Sequence, residues 1–109
     1  MTTTTPSILG QSKPVANTDT NLFTVSYGNQ AQFNIFVCNQ SGTQDQITIS
    51  LVPNGDLESS TSYIFSGTQI AGNFTFTASG IYLNSGDQVR VISVHGTTSF
   101  TATGLLVSN

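Results

Sequence analysis

Apolar and polar side chains alternate along most of the chain in short runs, the two-residue period of a strand buried on one face. In residues 31–38, Phe33, Ile35 and Val37 fall on one side while Gln32 and Asn34 take the other. Residues 46–52 repeat the pattern, with Ile47, Ile49 and Leu51 inward and Thr48 and Ser50 outward. Phe74, Phe76 and Ala78 alternate with Thr75 and Thr77, and Val89, Val91 and Ser93 oppose Arg90, Ile92 and Val94. Shorter runs cover residues 22–27, 81–83, 99–103 and 105–108, with another opening at Tyr63-Ile64-Phe65. Turn residues punctuate them: Gly28-Asn29, which allows a hairpin, then Pro53-Asn54-Gly55-Asp56 and Asn84-Ser85-Gly86-Asp87. No segment holds apolar residues at i, i+3, i+4 over three turns, so helix is expected to be minor or absent. About eight short strands predict an all-β fold over residues 22–109, an antiparallel β-sandwich of the jelly-roll or immunoglobulin-like kind. Its expected core is Phe33, Ile35, Val37, Ile47, Ile49, Leu51, Phe74, Phe76, Val89 and Val91.

Residues 1–21 break the pattern. A Thr run followed by Pro6, Gly10 and Pro14 shows neither period and reads as an extended N-terminal arm. Ile8, Leu9 and Val15 are apolar with little local surface to cover them, so the arm is either a free tail or a docking segment. Ile8, Leu9, Gln11 and Val15 are its candidate assembly contacts. Ile92 and Val94 add a second hint, since both faces of their strand are apolar and the outer one is placed to meet another subunit.

Composition narrows the function. Charged residues make up 6% of the chain against roughly a quarter in ordinary domains, and Ser, Thr, Asn and Gln take their place. Seven Phe and three Tyr, with many Val and Ile, separate it from disordered polar sequences. Lys13 and Arg90 are the only basic residues against five acidic ones, too few to displace counterions from nucleic acid. No apolar run reaches the length of about 20 residues that spans a bilayer, and the start lacks a basic n-region, so neither membrane insertion nor export is expected.

Candidate chemistry is sparse. Cys38 is the single cysteine, which excludes an internal disulfide, and with one His the chain cannot build a zinc site from Cys and His. A Ser nucleophile would have to rely on His95 alone, and there is no Gly-x-Ser-x-Gly elbow, so His95 reads as a turn histidine. Asp56 and Glu58 read as solvated acids, and Asp19, Asp45, Asp56 and Asp87 as turn residues that cap backbone NH groups. No phosphate-binding glycine motif occurs. The expectation is a non-enzymatic structural or binding module without a cofactor or metal.

Several segments, taken in order, carry a resemblance. Ile8-Leu9-Gly10-Gln11 after a Thr/Ser/Pro start, Leu22-Phe23-Thr24-Val25, Val37-Cys38-Asn39, Tyr63-Ile64-Phe65, Ile70-Ala71-Gly72-Asn73-Phe74 and Asp87-Gln88-Val89-Arg90-Val91 resemble small virion proteins of tailed bacteriophages, including phages of marine cyanobacteria. Such proteins typically have Pro after the Thr-Val pair and Arg after Cys-Asn, where this chain has Ser26 and Gln40. The resemblance implies a virion structural protein assembled in the host cytoplasm, with a capsid decoration or cement role the first expectation. Its partners would be the major capsid protein and copies of itself, three at a lattice three-fold by analogy with other decoration proteins. A tail, neck or fibre-associated module, binding host surface glycans, is the alternative.

Overall fold

The computed structural model describes residues 3–108. Eight strands follow one another: β1 (Thr3–Ser12), β2 (Thr20–Thr24), β3 (Asn29–Asn39), β4 (Asp45–Val52), β5 (Tyr63–Ile70), β6 (Thr75–Leu83), β7 (Gln88–Ser93) and β8 (Thr98–Ser108). One short 3-10 turn, Ser60–Ser62, precedes β5. Pairing is antiparallel and nested, β1 with β8, β2 with β7, β3 with β6 and β4 with β5. Two further ladders, β3 with β8 and β4 with β7, join these pairs into a sheet ordered β1-β8-β3-β6 and a sheet ordered β2-β7-β4-β5. They are called here the β3 sheet and the β4 sheet. The chain is therefore all-β, in two antiparallel four-stranded sheets.

The alternation read from the sequence explains why the sheets share one core. Phe33, Ile35 and Val37 from β3, Ile47 and Ile49 from β4, Val89 and Val91 from β7, and Phe100 and Ala102 from β8 are all buried in a single cluster. Two aromatic contacts tie the sheets together near their margins: Phe23 meets Phe33 edge-on at 4.9 Å, and Phe65 meets Phe76 at 5.5 Å. Seven of the ten expected core residues are fully buried. Leu51 and Phe76 are half-buried instead, and Phe74 is 52% exposed. Phe74 has the inward parity but precedes β6, and its carbonyl accepts from the Asn39 NH where β3 ends, so no opposing strand covers it.

The N-terminal segment departs most from expectation. Residues 3–12 form an edge strand that pairs along its length with β8, from Thr3 opposite Ser108 to Ser12 opposite Phe100. Thr and Ser at alternate positions satisfy a ladder without needing a buried face, which is why hydrophobic periodicity does not reveal the strand. A bulge between Ile8 and Gly10 turns Leu9 inward, where it packs on the chain's own core. The expected limits of arm and sandwich include Met1, Thr2 and Asn109, which lie outside the described residues.

Other boundaries also shift. β2 and β3, joined by the turn at Tyr27-Gly28, lie in different sheets and do not form a hairpin. The runs at 74–78 and 81–83, Phe74 apart, belong to one strand, β6, whose register shift opposite Asn34 is taken up at Gly80 with φ 75°. The runs at 99–103 and 105–108 are likewise one strand. Gly104 continues it because a Cβ there would come within 2.3 Å of the Gln32 carbonyl oxygen on β3.

Candidate interaction surface

Register determines which side chains share the outer face of the β3 sheet, since residues opposite one another in an antiparallel ladder point the same way. β3 contributes Gln30, Gln32, Asn34, Phe36 and Cys38. Beside them β8 places Ser99, Thr101, Thr103, Leu105 and Val107. β1 adds Thr4, Pro6, Ile8 and Gln11 at one margin, and β6 adds Thr75, Thr77 and Tyr82 at the other. None of these residues is Asp, Glu, Lys, Arg or His. In projection the face covers on the order of 500 Å², from four strands about 4.8 Å apart and about ten residues long.

Two of the four arm residues singled out by the sequence meet on this face. Ile8, 62% exposed, stands beside Thr103, and exposed Gln11 stands beside Thr101. Leu9 points away into the core. Val15 lies beyond the strand in the link to β2 and is 75% exposed. The sequence reading missed Phe36, 41% exposed, and Tyr82, 67% exposed, as members of the surface. An uncharged outward row along β3 was visible in the sequence, but only the register with β8 and β1 makes it a surface.

Tyr82 borders a shallow cleft of about 330 Å³ whose walls include Gln30, Gln32, Asn84 and Val107. Gln32 Nε2 donates to the Tyr82 hydroxyl at 3.4 Å. Tyr27, 98% exposed, precedes β3, whereas Tyr63 stands on β5 in the other sheet, so the three tyrosines do not form one platform.

Charge gathers elsewhere. On the β4 sheet Arg90 Nε donates to Asp19 Oδ1 at 3.0 Å, and Ser50, paired with Arg90 in the ladder, donates to Glu58. Contact with the Asp19 carboxyl and then burial push the Glu58 carboxyl above its ordinary range, against the smaller opposing effects of Ser50 and Arg90. Glu58 is thus engaged with β4 and β7, not a freely solvated partner of Asp56.

At the other end of β4, Asp45 is wholly buried. It accepts from Ser93 Oγ at 2.5 Å, Thr98 Oγ1 at 2.6 Å, the His95 NH at 2.9 Å and the Gln46 NH at 2.8 Å. Burial works to raise its pKa, but these four donors together outweigh burial and hold the carboxyl below its ordinary range. Asn39 does similar work nearby, donating to the Thr43 carbonyl and accepting from the Ser41 NH and Thr97 Oγ1. This Ser, His and Asp grouping is a fastening between β4, β7 and β8, with His95 joined to it through its backbone.

Among the described residues no group of three or more His, Cys, Asp or Glu could hold a metal, and no helix is long and apolar enough to cross a membrane. Comparison with protein families, curated proteins and solved structures finds no match. The role of the uncharged face has to be argued from its own side chains.

Proposed function

We propose that the chain is a non-enzymatic structural protein of a tailed-phage virion, decorating the capsid shell as an oligomer in contact with the major capsid protein. The observation that carries the reading is the outer face of the β3 sheet, broad and without Asp, Glu, Arg or His, with Lys13 standing only at its margin beside Gln11, Ser99 and Thr101. Such a face can be covered without stranding a desolvated charge, the main penalty against burying polar surface in a permanent assembly. Amide and hydroxyl groups keep it soluble before it is covered, and Ile8, Phe36 and Leu105 supply apolar contact within it.

Strand order supports the finer assignment. Nested pairing of β1 with β8 through β4 with β5 is what results when one long hairpin is rolled into two sheets, and we read it as a jelly roll. Jelly rolls recur in capsid and lectin domains, an analogy of fold that raises the virion reading without replacing the argument from the face.

Copy number tests the proposal. Quantitative mass spectrometry of purified particles is expected to find hundreds of copies of this chain per virion, scaled against the major capsid protein. A few to a few dozen would move it to the tail or neck, and its absence from particles would overturn the virion role. The Tyr82 cleft favours the tail-associated alternative, because an exposed ring flanked by amides suits stacking and hydrogen bonding to a sugar. Loss of host adsorption in phage carrying Tyr82→Ala, with copy number unchanged, would decide for it.

A further inference from the structure

β1 is a strand held almost wholly by one neighbour. Its ladder runs to β8 alone, and none of its ten residues is fully buried. Leu9 is its one apolar anchor in the core. The segment that returns the chain to β2 reverses through a single tight turn, closed by the Thr18 NH on the Val15 carbonyl at 3.2 Å, with Asn17 at φ 55°; it is anchored to β7 by the Asn17 NH on the Ser93 carbonyl at 2.8 Å and by Asp19 on Arg90, and Pro14 is buried. A non-glycine residue in the left-handed region marks a turn that gives up local strain when it opens. Short strained hinges and separable terminal elements are the conditions under which identical chains exchange parts.

We infer that β1 is an exchangeable strand, and that paired copies complete each other's β3 sheet, the Thr3–Ser12 strand of each lying against β8 of the other. The occupant is fixed by the structure itself, because the β1 site is already filled by the identical strand of the same chain. Every β1–β8 hydrogen bond and the Leu9 contact are remade after exchange. What changes is the link, which gives up the Asn17–Ser93 hydrogen bond and its turn as it opens; residues 13–19 then reach about 23 Å, comparable with the molecule's 20 Å short axis. Val15, left 75% exposed in the closed form, then lies where two links pass one another and can cover each other. The inference stands apart from the particle reading, since exchange is a property of the chain in solution.

Two single-cysteine proteins provide the test. In a Cys38→Ser background, Thr4→Cys and Val107→Cys place thiols on residues that are opposite one another in the β1–β8 register, within disulfide reach. The two variants, one isotope-labelled, are mixed in denaturant, refolded together at high concentration and oxidised. Exchange predicts a disulfide-linked heterodimer that outweighs either homodimer by several-fold in intact mass. The inference is overturned if the mixture gives no heterodimer in excess while the protein carrying both cysteines closes its disulfide only within one chain. Failure of exchange leaves the copy-number test untouched, and absence from particles leaves exchange untouched.

Discussion

Asp45 and Glu58 show how burial alone fails to predict what a carboxylate does for stability. Asp45 is buried but supplied with four donors, so its folded pKa lies below the ordinary 3.8. Folding is then favoured by its charged form, and that contribution is present above pH 3.8 and is lost as pH falls through the folded value. Glu58 has the opposite sign, since its folded pKa is raised above 4.5 and its contribution is lost as pH rises through the raised value. Denaturation midpoints measured against pH are expected to fall in acid for the native chain, and Asp45→Asn is expected to flatten that limb. Glu58→Gln, which resembles the protonated state, is expected to leave stability at pH 7 unchanged or higher. Asp45→Ala strands the Ser93, Thr98 and His95 donors together and should cost about 3 kcal/mol or more in urea denaturation. At the apolar centre, Ile49→Ala should cost about 2–5 kcal/mol, the usual range for truncating a buried aliphatic side chain.

β8 carries the largest share of the β3 sheet's pairing, and Gly104 is its narrowest point. Gly104→Ala drives a methyl group against the β3 backbone and is expected to destabilise by about 1–3 kcal/mol, read as a lowered thermal midpoint. Gly80, by contrast, has open space around the position of a Cβ, and substitution there acts through its positive φ alone. Strands with one apolar face were legible in the sequence, because Phe33 to Val37 and Ile47 to Ile49 carry a period that only a half-buried strand explains. β1 was not, because its residues take their place from the ladder with β8 and not from a buried stripe. Gly80 and Gly104 were misread as breaks, since a glycine that ends a strand and one that admits a bulge or a close neighbour look alike in sequence. The uncharged face had a visible outward row in Gln30 to Cys38, but its extent depended on pairings between residues some 60 to 105 positions apart, which no local pattern encodes.

Across the whole molecule, the separation of charge predicts how the protein associates. Asp19, Glu58 and Arg90 sit on the β4 sheet side and Lys13 alone borders the β3 sheet's outer face, so contacts made by that face should depend only weakly on ionic strength, unlike steering between charged surfaces. Binding to purified capsids is expected to survive a rise from about 0.1 M to about 1 M salt, over which the screening length falls from roughly 10 to 3 Å. Thr101→Asp should weaken that binding far more than it lowers the thermal midpoint, because it places a charge within the face that has to be desolvated when the face is covered. Nested pairing has a further consequence, in time. The first strand made is the partner of the last, and at about 5–20 residues per second the ribosome leaves β1 waiting roughly 5–20 s before β8 exists. For that interval the edge strand is a loose polar thread rich in threonine, and without a hydrophobic stripe it offers neighbouring nascent chains little apolar surface to bind.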